Sequence, residues 1–131
     1  MTAYRGGLTP ADVERAAERV ARYTRRTPLL PGLPARGRRR GGWGLLLKAE
    51  HLQHSGSFKL RGAANAVLAL GARALVTGSS GNHGIALARL AAPMGVRVTV
   101  VTSQCVITME VAEGSVTMQS LWTKGAPTLD M

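Results

Sequence analysis

Three short apolar runs separated by two segments of helical length restrict the middle of this chain to one kind of architecture. Leu45-Leu46-Leu47-Lys48-Ala49-Glu50 follows a glycine turn and reads as a strand. A helix is expected from about Ser57 to Leu70, with Ser57 available as its cap. Ala72 to Thr77 reads as a second, buried strand, and a helix follows from Asn82 or Gly84 to about Met94, with Gly95 as its stop. Val96 to Val101, rich in β-branched residues, is the third strand. The order strand, helix, strand, helix, strand is that of an α/β protein with a parallel sheet, because parallel neighbours need a crossover and a helix supplies it.

A further helix precedes this unit. Thr9 stands at its N-cap, Pro10 at the first helical position and Asp12 where a capping partner belongs, while Val13, Ala16, Ala17 and Val20 line one face. Thr27-Pro28-Leu29-Leu30-Pro31 ends it, since a residue before proline is pushed out of the α region. Arg36 to Gly44 reads as a loop.

At 131 residues the chain has room for one compact domain. A hydrophobic fraction of 45% argues against wholesale disorder. No apolar run reaches the ~18 to 20 residues of a membrane span, and the amino terminus lacks the apolar core of a secretory leader. Cys105 is alone, which excludes an intrachain disulfide and a cysteine-rich zinc module and suits a reducing, cytoplasmic setting. It reads as a small apolar residue rather than a nucleophile. His51 and His54, three apart beside a Ser-Gly turn, read as loop residues rather than metal ligands, so no metal is expected.

The net charge of +10 suits an anionic ligand, nucleic acid or lipid without choosing among them. It is unevenly spread. Residues 1–101 hold all fourteen arginines, whereas residues 102–131 hold one lysine against three acids. The chain is therefore expected to divide into 1–101 and a divergent tail, 102–131, of unknown structure. Arg38, Arg39 and Arg40 could meet nucleic-acid phosphates, but no aromatic residues interleave with them and no recognition motif accompanies them, so neither a nucleic-acid nor a membrane partner is expected.

Two motifs carry chemistry. Ser55-Gly56-Ser57-Phe58-Lys59-Leu60-Arg61-Gly62-Ala63 sets one lysine at a helix start beside an aromatic ring. The helix terminus and Arg61 both disfavour an ammonium group there, so a partly buried Lys59 could supply the neutral amine of Schiff-base chemistry. On spacing alone, a solvated lysine on an amphipathic helix is the favoured reading. Gly78-Ser79-Ser80-Gly81-Asn82-His83-Gly84 joins a strand to a helix. Its glycines let successive N–H groups face a carboxylate or phosphate, and the serine hydroxyls and Asn82 amide add directed bonds. It is neither a Walker loop nor a dinucleotide fingerprint. A tight turn without ligand is the alternative.

Taken together and in this order, the motifs resemble the fold type II pyridoxal-phosphate enzymes, most closely the branch of serine/threonine dehydratases (threonine ammonia-lyases) and serine racemases. The likeness runs from Thr27-Pro28-Leu29 through LLLKAEHLQHSGSFKLRGAANAV and ALVTGSSGNHGIALARLA to Val101. The fold this implies is part of a tryptophan-synthase-β-like architecture, apparently truncated, and the cofactor is pyridoxal 5′-phosphate. The resemblance implies that Lys59 holds the cofactor and moves the α-proton, that Phe58 packs beside it, and that Asn82 bonds its 3′-oxygen. Ser79, Ser80, Gly81, Asn82 and His83 would surround the substrate carboxylate, with Ser80 as acid/base if racemisation occurs.

The implied reaction is loss of water from L-serine or L-threonine, giving a 2-oxo acid and ammonia. The implied partners are a small amino-acid substrate and a second copy of the chain. The family's phosphate-binding loop and its contact to the pyridine nitrogen are not found in this sequence, so activity of this chain alone is expected to be impaired. The alternatives are serine racemase-type activity and a noncatalytic fragment that binds a full-length homologue.

Overall fold

The computed structural model describes residues 7–32, 45–103, 105–112 and 115–122. The loop expected over residues 36–44, with Arg38, Arg39 and Arg40, and the end of the tail lie outside them.

The first helix, α1, spans Pro10–Val20 and begins with a reciprocal capping box: the Thr9 hydroxyl accepts from the Asp12 amide, and the Asp12 carboxylate accepts from the Thr9 amide at 2.9 Å. Its expected apolar face is only partly used. Val20 is the one buried residue of the helix and Val13 is 61% exposed, because α1 meets the rest of the molecule through its last turn, where Arg19 bonds Asn65.

Two short strands follow, β1 (Leu29–Pro31) and β2 (Leu46–Lys48), paired antiparallel with Leu30 opposite Leu47. The strand expected over residues 45–50 stops at Lys48. Ala49 is buried, and Glu50–Leu52 forms a short 3-10 helix.

Helix α2 (Lys59–Leu70) buries Leu60, Ala63, Ala64 and Val67, the i, i+3, i+4, i+7 stripe of an amphipathic helix. Its N-cap is Phe58, and Ser57 makes no cap bond, which corrects the capping role expected of Ser57. Gly71, at φ 58°, closes the helix in the left-handed region. Strand β3 (Ala74–Gly78) leads into α3 (Asn82–Met94), which buries Ala86, Leu87, Leu90 and Ala91 and ends at Gly95, also left-handed at φ 63°. Strand β4 (Arg97–Val101) pairs parallel with β3, from Ala74 opposite Arg97 to Gly78 opposite Val101.

Beyond Val101 the chain forms two more strands, β5 (Cys105–Ala112) and β6 (Ser115–Trp122). The sheet order is β3-β4-β5-β6, with β4, β5 and β6 successively antiparallel. The sheet is therefore mixed: one parallel pair joined by a helical crossover, extended by a hairpin. The expectation that β3 is buried is corrected by this order. As the edge strand among the described residues it has one neighbour there, and its residues alternate between outward and half-covered, with Val76 77% exposed.

The core gathers Val20, the buried stripe of α2, the buried face of α3, and Val96, Val98, Val100 and Met109 of the sheet. No helix among the described residues is long and apolar enough to cross a membrane.

Candidate functional site

Chain connectivity places the glycine-rich turn at the carboxyl end of β3. Three residues join α2 to β3, and three join β3 to α3. The amino-terminal end of α3 therefore lies at the carboxyl end of β3, and α2 packs against α3. In open α/β sheets, ligands bind at the carboxyl ends of the parallel strands.

The glycine-rich turn is tied down from both sides. The Ser79 amide donates to the Val101 carbonyl at 2.9 Å, fastening the turn to β4. The Ser79 hydroxyl oxygen accepts from the Gly84 amide at 2.9 Å and the Gly81 amide at 3.3 Å, so it caps the start of α3 from within the turn. Among the described residues, the amides of Ser80, Asn82 and His83 have no acceptor. These N–H groups are the unpaired donors of a helix amino terminus, suited to an anion.

A cleft of about 410 Å³ opens beside the turn. Ser79, Ser80, Gly81, Thr102 and Ser103 line its polar part, and Ile85, Val100 and Met109 are among its apolar walls.

Lys59 is the first residue of α2 and is exposed, as a solvated lysine on an amphipathic helix would be, rather than partly buried. Its ammonium lies 4.7 Å from the centroid of the Phe58 ring, within cation–π range, and it has no acidic partner among the described residues. Phe58 is itself 59% exposed, which leaves ring surface available. Ser57, just before it, is buried with an unbonded hydroxyl.

Arg61 does not stand free beside Lys59. Its Nε and Nη2 donate to Glu50 Oε2 and Oε1, each at 2.8 Å, a two-point fork. Thr27 donates to the same carboxylate, and Lys48 Nζ lies 3.9 Å from Oε1. The Arg61 bonds above all, with Thr27 and the charges of Arg61 and Lys48, hold the Glu50 carboxyl at about 2, well below the usual carboxylate value, against a desolvation that pushes it up. Arg61 Nη2 also reaches the Arg25 carbonyl at 3.0 Å. Gln53, buried, grips Arg25 through both its amide and its carbonyl, each at 2.9 Å.

Of the residues singled out by sequence, the structure gathers Ser79, Ser80 and Gly81 around the cleft, whereas Phe58, Lys59, Asn82 and His83 are exposed outside its lining. His54 lies with Nδ1 2.8 Å from Arg25 Nη2, and His51 is exposed. Cys105 is half-buried beside the Thr102 hydroxyl. The Glu50–Arg61 fork is absent from the sequence reading, although an acid ending an apolar run before a basic helix start is the trace it leaves.

The α/β unit presents a turn with unpaired N–H donors and an exposed lysine that has no acidic partner among the described residues. Residues 20–114 match the family described as pyridoxal-phosphate dependent enzyme, and the chain belongs to that family. A protein of Sinorhizobium fredii assigned as a threonine dehydratase is 41% identical over 110 residues, which cover 81% of this chain and 32% of that protein. The serine racemase of Dictyostelium discoideum is 40% identical over 84 residues, covering 61% and 25%. The crystal structure of the T.th. threonine deaminase superposes with a TM-score of 0.57 at 45% identity, covering 70% of this chain and 32% of that one. The fold is that of part of a fold type II enzyme, and the chain spans about a third or less of the length of these relatives.

The residues present fit pyridoxal phosphate in their donor chemistry: a primary amine without an acidic partner among the described residues, an exposed aromatic face beside it, an amide side chain at Asn82 and unpaired main-chain N–H groups.

Proposed function

We propose that this chain carries the lysine and the carboxylate-gripping turn of a pyridoxal-phosphate-dependent dehydratase acting on L-serine or L-threonine. The observation that supports this reading is the set of unpaired N–H donors that the turn between β3 and α3 presents beside the cleft. When bound, pyridoxal phosphate supplies the electron sink for breaking the bond between the α-carbon and its hydrogen.

Lys59 holds the cofactor through Nζ, and the same amine moves the α-proton. Phe58 packs beside the ring, and the Asn82 amide donates to its 3′-oxygen. Ser79, Ser80, Gly81, Asn82 and His83 surround the substrate carboxylate, with the free amides of Ser80, Asn82 and His83 as donors. The α-proton and the β-hydroxide leave as water; a water is taken up again when the released enamine tautomerises and hydrolyses. The net products are one 2-oxo acid and one ammonia.

Racemisation is the second reading, supported by the exposed Ser80 hydroxyl lining the cleft, where it could deliver a proton to the other face of the α-carbon.

Incubation with pyridoxal phosphate, borohydride reduction and peptide mass mapping test the reading, with Lys59→Ala as control. Selective modification of Lys59 is expected. Absent or indiscriminate modification overturns it.

A further inference from the structure

We propose that Glu50 and Arg61 form a positioning clamp that fixes the direction in which α2 presents Lys59. The inference rests on the assignment of Lys59 as the cofactor lysine and adds a residue pair that the family motif does not explain.

The start of α2 lacks the usual means of orientation. Its N-cap, Phe58, offers no side-chain hydrogen bond, and Ser57 does not substitute for it. Successive residues on a helix point about 100° apart. Leu60, 1% exposed, points into the core. Arg61 points to one flank, where its fork meets Glu50 and its Nη2 meets Arg25. Lys59 is thereby turned to the opposite flank, against the Phe58 ring.

The clamp is anchored at its far end as well. Glu50 follows β2 on the short 3-10 helix and is held by Thr27, itself 3% exposed, and by Lys48. Fork geometry matters because guanidinium bonds a carboxylate at two points and resists rotation, whereas an ammonium bonds at one and does not. A merely stabilising ion pair tolerates that exchange; a clamp does not.

Two readouts separate these cases in wild type, Arg61→Lys and Glu50→Gln. The first is the ratio of Lys59 to Lys48 modification by pyridoxal phosphate and borohydride. The second needs no cofactor: reductive methylation with labelled formaldehyde gives a dimethyl-lysine signal at Lys59 that the Phe58 ring shifts upfield. Asp12→Ala, which uncaps α1 far from the lysine, controls for general loss of stability.

Both clamp variants are expected to lower the modification ratio by up to about 100-fold, the loss that a misplacement on the order of 1 Å can cause, and to move the methyl signal to the position of a free lysine. Asp12→Ala is expected to leave both unchanged. Retention of both signatures in Arg61→Lys overturns the proposal, as does their equal loss in Asp12→Ala or unfolding of both clamp variants. If wild type shows no selective modification while the methyl signal still depends on Arg61, the clamp stands and the assignment of Lys59 to the cofactor falls.

Discussion

Gly84 packs directly against Val100: a Cβ at Gly84 would lie 3.0 Å from Val100 Cγ1 and 3.4 Å from the Ser79 side chain. Val100 is buried and β-branched, so it has no easy rotamer to retreat into. Gly84→Ala is therefore expected to destabilise the fold by about 1–3 kcal/mol, read as a lower urea midpoint at unchanged slope. Gly62, within α2, meets nothing within 4 Å, and Gly62→Ala is expected to stabilise by about 0.5–1 kcal/mol in the same titration.

Ser57→Ala distinguishes a cap from an orphan. Removing a helix-capping hydroxyl costs about 1 kcal/mol. The Ser57 hydroxyl is buried without a partner, so its removal is expected to leave stability unchanged or raise it. Thermal unfolding of the variant checks the sign.

Ser79→Ala has the opposite outcome. It strips the acceptor from the Gly84 and Gly81 amides together, at an expected cost of about 1–2 kcal/mol. Hydrogen exchange at Gly84 is expected to quicken more than at Ala91 in the same helix.

Acid acts through Glu50. Its folded value, about 2, lies below the ordinary 4.5, so the unfolded chain binds the proton more readily. The stabilisation is complete above 4.5 and is lost as pH falls toward 2. Urea titrations across that window are expected to show falling stability in wild type and a shallower fall in Glu50→Gln, which has no carboxylate to protonate. A parallel slope in the variant contradicts the assignment.

Local signals are the legible ones. Thr9 and Asp12 cap α1 because both partners sit within one turn, and Gly71 and Gly95 end their helices through their own backbone freedom. The glycine turn reads directly because strand, turn and helix are contiguous. What depends on distant neighbours does not read from the chain. Which face of α1 is buried is set by α2, and whether β3 lies inside or at the edge depends on a strand order that no single segment encodes. The Glu50–Arg61 fork joins residues on different elements, and neither type announces its partner. The hairpin after Val101 has a signal in Glu113-Gly114 between two β-branched stretches, but the change in charge over the same residues points instead to a tail.

Strand β4 belongs to two ladders of different kind, parallel to β3 and antiparallel to β5. The β4–β5 ladder closes with Val101 opposite Val106, close neighbours in sequence, while Gly78 meets Val101 only after α3 has bridged the gap. Closing the shorter loop costs less entropy, and hairpins form within ~1–10 μs. Refolding is therefore expected to give β4 its antiparallel partner first and to wait on docking of α3 for the parallel one. Changes that weaken the β4–β5 ladder should therefore slow folding, whereas changes that weaken the later β3–β4 ladder should hasten unfolding instead.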